Sequence, residues 1–229
     1  MSPDKKISLS ASALGVYRDC PRCFWFTHNR GVRRPEGIKA GLPNGMDLKI
    51  KQYFDRYRGG LPPELEGHVE GRLIDDQALL DAWRDRWKGL TYEDPFLNAR
   101  LKGLLDDCVV SGRSYLPLDY KTKGRMPKAD EHKWNQDQLN IYTLLLEANG
   151  YPTAGYGYLI FYHPVEVRPG GVVQFEVTPR KVATDRDSAL RLFEQAVEFI
   201  RGPEPAADPR CEYCAWLSHH HGPLEVPLQ

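Results

Sequence analysis

Gly103-Leu104-Leu105-Asp106 and Leu118-Asp119-Tyr120-Lys121 are the stretches on which the reading of this 229-residue chain turns. Arg100 to Val110 reads as a strand and Ser111-Gly112-Arg113 as a hairpin turn. Tyr115-Leu116-Pro117-Leu118 then leads a second strand into Asp119. Strand side chains alternate between faces, so Asp119 and Lys121 project to one side. Folding back at the turn sets Asp106 nearly opposite Leu118, which brings the two carboxylates within roughly 5–8 Å across adjacent strands. Carboxylate oxygens suit a hard ion such as Mg²⁺. A carboxylate and an ammonium on one face can hold a metal and a water together for phosphodiester hydrolysis. The plainer alternative is a surface hairpin with an Asp119–Lys121 ion pair.

Lys133 to Asn149 predicts a helix. Trp134, Leu139, Ile141, Tyr142, Leu144, Leu145 and Leu146 supply its apolar face, and Asn149-Gly150 its stop. Gln138 and Tyr142 are four apart and share a face. An amide and a phenol there suit contacts to a coordinated water or a phosphate, or else are a half-exposed Gln and a core Tyr.

Gly103-x-x-Asp106, Asp119-x-Lys121 and Gln138-x-x-x-Tyr142, in this order and spacing, resemble the PD-(D/E)xK nuclease superfamily. The set is most similar to RecB-like nucleases, including the CRISPR-associated RecB-like exonucleases. The resemblance spans residues 8 to 217. It implies an α/β restriction-endonuclease-like core, a central mixed sheet flanked by helices. It implies that Asp106 and Asp119 bind Mg²⁺ or Mn²⁺, that Lys121 positions the attacking water, and that Gln138 and Tyr142 act near the scissile phosphate. The RecB-like branch carries a further metal-binding His on an early helix. The corresponding helix here, about 45–58, has none, and Asp47 is the best substitute. Asp47 also reads as a first-turn carboxylate complementing the helix dipole.

The chain has five cysteines, and four form Cys20-Pro21-Arg22-Cys23 and Cys211-Glu212-Tyr213-Cys214. Two such pairs complete a tetrahedral thiolate set, a clamp joining the two ends of the chain. No secretory leader is read before Ile7, so a cytoplasmic protein with metal-bound rather than disulfide-bonded cysteines is expected. Cys108 fits a strand core. The RecB-like resemblance implies a [4Fe–4S] cluster. Its last ligand position falls here on His220 of Ser218-His219-His220-His221, with Cys23 able to supply the missing thiolate, and Zn²⁺ is the alternative. The triple His itself reads as a solvated tail.

Net charge is zero, with 41% hydrophobic and 27% charged residues. This excludes a protein that coats nucleic acid by bulk charge, and no apolar run is long enough for a membrane span. Basic residues cluster among aromatics at Arg18, Arg22, Arg30, Arg33, Arg34 and Lys39, again at Lys49, Lys51, Arg56 and Arg58, and at Lys123, Arg125 and Lys128. Such mixtures suit single-stranded nucleic acid, or else are solvated faces over a core.

The expected organisation is a single domain: a helical N-terminal part over 8–95, a nuclease core over 96–201 and a C-terminal Cys segment and tail over 202–229. Within it, helices are expected to Asp19 (capped by Ser8 or Ser10), over 45–58, Asp75–Lys88 and Arg180–Arg201, with strands over Ala154–His163 and Val172–Thr178. Arg30 to Pro43 and Thr122 to Glu131 read as loops. The functional expectation is an exonuclease-like, metal-dependent deoxyribonuclease acting on single-stranded or processed DNA ends in recombination, repair or defence. Protein partners in a repair, phage or CRISPR-adaptation complex would fit. The competing class is a catalytically weak or inactive metal-stapled DNA-binding or interaction subunit.

Overall fold

The computed structural model describes residues 6–35 and 41–215. Ser218 to His221 and Lys39 lie outside the described residues. The chain opens with β1 (Ile7–Ser10) and α1 (Ala11–Asp19). Of the two candidate caps it is Ser10 that accepts the Ala13 N–H, at 3.1 Å. Cys20 then takes extended backbone, which stops α1, and its side chain caps α2 (Pro21–Asn29). Next come α3 (Gly41–Phe54), β2 (Arg72–Leu73) and α4 (Gln77–Arg84). β3 (Leu90–Asp94), β4 (Ala99–Gly103), β5 (Asp107–Ser111) and β6 (Ser114–Thr122) follow. The chain continues through α5 (Gln136–Ala148), β7 (Tyr156–Arg168), β8 (Val172–Ala183) and α6 (Arg186–Arg201).

The strands form a curled, mixed arrangement flanked by helices, as a restriction-endonuclease-like fold requires. Five strands are ordered β2-β5-β6-β7-β8 and three are ordered β1-β4-β3. β6 and β7 run parallel with Asp119 beside Leu159, so α5 is the crossover helix between them. α5 is therefore pinned against the sheet, and Leu139 to Leu146 are all buried. One cluster of buried apolar residues joins α5, α6 and the inner face of β4, and a second packs α3 against β6 and β7. Among the described residues no helix is long and apolar enough to cross a membrane.

The expected strand from Arg100 to Val110 is corrected. It is two strands in two sheets, parted at Leu104-Leu105-Asp106. Two adjacent leucines break the alternation. α4 takes the polar groups that a continuous ladder would have used. Leu105 N–H donates to the Trp83 carbonyl at 3.3 Å, and the Asp106 carbonyl accepts from Arg84 Nε at 2.7 Å. Gly103 ends β4 where α5 passes closest, since a Cβ there would sit 2.4 Å from Leu145 Cδ1.

Other boundaries shift as well. α3 starts at Gly41, so Gly41 to Pro43 of the expected loop are helical. The helix expected at 133 begins as a 3₁₀ turn, Glu131–Asn135, before α5. β7 and β8 extend past their expected ends as a long antiparallel pair that takes Arg180 to Ala183 from the last helix. That helix starts only after Asp185, whose carboxylate caps the N–H groups of Asp187 and Ser188.

Candidate active site

β6 is an interior strand, and alternation along it divides its side chains between two faces. Asp119 and Lys121 point toward α5, with Lys121 Nζ 2.6 Å from Asp119 Oδ2. Tyr120 points the other way and its hydroxyl donates to Asp107. Asp119 is fully buried. α5 sets Gln138 over it. The Gln138 Nε2 donates to Asp119 Oδ1 at 2.9 Å and to Tyr142 Oη at 2.7 Å. Its Oε1 accepts from Lys121 Nζ at 2.9 Å. One amide thus ties together the four residues on which the two sequence motifs converge.

Asp106 stands at the entry to β5. The pairing of Asp107 with Leu118 places Asp106 at the level of Asp119. The two consecutive carboxylates serve different ends. Asp107 is fully buried and held by both Arg58 nitrogens at 2.6 Å, by Arg84 at 3.4 Å and by Tyr120. Asp106 faces the other way, into the cluster with Asp119.

α3 supplies the rest. Lys51 Nζ lies 2.8 Å from Asp47 Oδ2 and 2.8 Å from Asp106 Oδ1. Because α3 begins at Gly41, Asp47 sits in its second turn, which removes the first-turn dipole reading. Lys51 was not singled out by the motifs, although the i,i+4 spacing of Asp47 and Lys51 is a readable sign of the pair.

The electrostatics follow from burial. Burial pushes the Asp119 carboxyl up to about 7; Lys121 opposes this and the neighbouring Asp106 adds to it. Tyr142 is raised by its own burial and then by Asp119. Burial pulls the Lys51 ammonium down, but Asp106 and Asp47 outweigh it and hold it above its usual value. The Oδ2 atom of Asp119, though close to Lys121, has no hydrogen bond of good geometry. A buried carboxylate oxygen facing the Lys121 ammonium, beside a second carboxylate, matches what a hard cation needs.

Much of the expected basic surface is neutralised. Lys51 and Arg58 are bound by carboxylates as above, Arg18 by Asp137 at 2.9 Å and Arg22 by Glu204 at 3.2 Å. Lys123 and Arg125 both turn to Glu131, at 3.0 and 3.2 Å. Their two charges and the Lys128 N–H hold that carboxyl down at about 2.

The four paired cysteines meet. Cys20 Sγ lies 3.6 Å from Cys214 Sγ, Cys23 Sγ lies 3.6 Å from Cys211 Sγ, and all four sulfurs are within 4.8 Å of one another. These are not disulfides, whose sulfurs stand about 2.05 Å apart. Arg34 reaches the group, with Nη2 3.8 Å from Cys211 Sγ. Burial raises the Cys23 thiol to about 12. Cys211 is also pushed up by burial, but N–H groups of Cys214 and Tyr213 and the neighbouring thiols bring it down to about 7. Cys108 is buried in the strand core, as expected.

A family model for the PD-(D/E)XK nuclease superfamily matches residues 94–219, more than half of the chain. The matched region contains Asp106, Asp119, Lys121, Gln138, Tyr142 and the second cysteine pair; Asp47, Lys51, Cys20 and Cys23 lie before it. No curated protein matches the chain.

Proposed function

The chain belongs to the PD-(D/E)XK nuclease superfamily, and on that premise we propose that it is a metal-dependent deoxyribonuclease centred on Asp106, Asp119, Lys121 and Gln138. The superfamily implies a nucleic acid substrate. The observation that carries the reading is the Gln138 amide, which fixes Asp119, Lys121 and Tyr142 in one hydrogen-bonded unit. A protein that only binds has no need of a buried carboxylate held at that cost.

The residues present fit Mg²⁺ or Mn²⁺. Asp106 and Asp119 would hold the ion, with Asp47 as a third candidate. Such an ion supplies Lewis acidity toward the phosphate and a lowered pKa for water. Lys121 presents its ammonium where negative charge grows on the phosphate and orients the attacking water. Gln138 positions both Lys121 and Asp119. Tyr142 accepts from Gln138, which leaves its own O–H proton to donate toward a substrate oxygen. Exonuclease-like action on single strands or processed ends, and partners in a repair, phage or CRISPR-adaptation complex, rest on the resemblance to the RecB-like branch.

For the cysteines, sulfurs 3.6 Å apart support one tetrahedral ion. A Zn–S bond of about 2.3 Å gives a tetrahedral S···S edge of about 3.8 Å. Four thiolates on four separate irons must stand farther apart. We therefore assign the clamp to zinc in preference to the [4Fe–4S] cluster.

The test is cleavage of end-labelled single- and double-stranded DNA with Mg²⁺ or Mn²⁺ added or omitted. Asp119→Asn and Lys121→Ala should each cost about 10²-fold or more, the scale of losing one preorganised electrostatic group. Gln138→Ala should slow cleavage while Mn²⁺ affinity by calorimetry changes little. Near-wild-type turnover of the Asp119 and Lys121 variants, purified identically, would show the assignment to be wrong.

A further inference from the structure

A cleft of about 710 Å³ opens beside Gln138 and Tyr142. β1, the start of α1 and the end of α2 line one part of it; Arg86 and the end of β4 line another. Its volume lies in the range of pockets that enclose a small ligand, about 300–1,000 Å³. A cleft of that size can take a short length of one polymer strand.

Its charge is one-sided. Arg33, Arg86 and Lys102 are among the lining residues, and among the described residues no carboxylate lines it. The chain as a whole has 31 basic and 31 acidic residues, and most basic residues near the site are already taken up by carboxylates. Among the described residues neither Arg86 nor Lys102 makes an ion pair with a carboxylate, though the N–H groups of Lys88 and Trp87, helped by the Lys102 charge, hold the Asp85 carboxyl below its usual value. Lys102 Nζ donates to the carbonyls of Arg86 and Trp87 at 2.8 and 3.0 Å. The Arg86 guanidinium lies 4.7 Å from the centre of the Trp87 ring. Asp85, next in sequence, is turned to the N–H groups of Trp87 and Lys88.

Trp87 itself is 79% exposed. A large aromatic ring left in water, braced by an arginine at the edge of a cationic cleft, is a platform for stacking. An unpaired base can offer it a free face anywhere along a strand, whereas a duplex can do so only at its terminal pair. Hydroxyls of Ser8, Ser12 and Thr27 add hydrogen-bonding groups to the same lining.

We propose that this cleft binds single-stranded DNA, with phosphates on Arg33, Arg86 and Lys102, a base on Trp87, and the strand leading to Gln138 and Tyr142. The identity of the occupant rests on the nuclease reading above.

The test is fluorescence anisotropy with labelled oligo-dT and a blunt hairpin duplex, without added divalent ions so that nothing is cut. Oligo-dT should bind at least tenfold more tightly than the duplex. Trp87→Ala should weaken oligo-dT binding about tenfold and Trp87→Phe should restore most of it, as expected for stacking. Arg86→Ala should lower the slope of log affinity against log salt by about 0.7, the loss of one single-strand phosphate contact, and Arg86→Lys should recover it. Thermal melting checks that each variant is folded. Preferential binding of the duplex would overturn the proposal, as would wild-type affinity and slope in both the Trp87 and Arg86 alanine variants. A protein that binds oligo-dT through these residues yet never cleaves would sink the nuclease reading and keep the cleft. One that cleaves normally with the cleft variants binding like wild type would sink the cleft alone.

Discussion

The Lys51 ammonium lies 2.8 Å from an oxygen of Asp106, and its other contact, Asp47, is equally close. A single positive charge thus stands between two carboxylates at the place where the motifs ask for a divalent ion. Lysine and metal would compete for the Asp106 oxygens.

Lys51→Met keeps the length of the stem and removes the competing charge. Mn²⁺ affinity should then rise by on the order of tenfold, about 1.4 kcal/mol, the scale of a partly shielded ion pair. The metal-free variant should melt lower, because Asp106 loses its counter-charge. Titration calorimetry decides. A drop in Mn²⁺ affinity would mean that Lys51 helps to build the ion's site.

Asp119 contributes to the pH dependence of the metal-free protein. Its carboxyl is raised from 3.8 to about 7, chiefly by burial. The folded state therefore holds this proton more tightly than the unfolded state. The resulting stability is fully present below about pH 4 and is lost as pH rises through about 7. Without divalent ions, the melting temperature should fall over that interval from this group's contribution. Asp119→Asn should flatten the fall, because its amide stays neutral throughout. An Asn variant with an unchanged slope would place the titration elsewhere.

What the sequence made legible was local and periodic. Alternation along β6 was enough to put Asp119 and Lys121 on one face, and helix spacing was enough to pair Gln138 with Tyr142. Neither rule could choose between Asp106 and Asp107, because the choice depends on where β4 ends. That end is set by α4, whose Arg84 and Trp83 carbonyl satisfy the backbone of Leu105 and Asp106. β1 and β3 went unread for a related reason. Each is short, five residues or fewer, and is defined by β4 lying between them. The basic clusters misled because sequence shows charges without partners. Arg58 looks like a phosphate contact until Asp107 is seen to hold it.

That buried pair yields a stability prediction. Arg58 and Asp107 form a two-pronged bond away from water, with Arg84 and Tyr120 completing the set. Asp107→Ala leaves two partly buried arginines without their carboxylate. Breaking such a pair costs about 3–5 kcal/mol. Urea denaturation should show that loss, while Arg58→Ala with Asp107→Ala should cost less than the two single variants added together. Strict additivity in this cycle would mean that the two side chains do not stabilise one another.

The thiolate cluster makes the last prediction. Cys20 and Cys23 belong to the start of α2, and Cys211 and Cys214 to the entry and body of a helical stretch at 212–215, so the cluster joins segments that are remote in sequence. A metal that binds only this folded arrangement adds its binding free energy to stability. Losing about 3 kcal/mol lowers the melting temperature by roughly 6–12 °C in a chain of this size. Cys20→Ser and Cys214→Ser should each show at least that drop, with lower solubility. Neither residue touches the Asp119 cluster, so any loss of cleavage should follow the loss of folded protein. Purification without oxygen, then elemental analysis, identifies the ion. One zinc per chain and no colour is the expected result. A brown protein with about four irons would replace zinc by the cluster and keep the clamp. Folded protein holding neither metal, with all four cysteines titrating as free thiols, would remove the clamp.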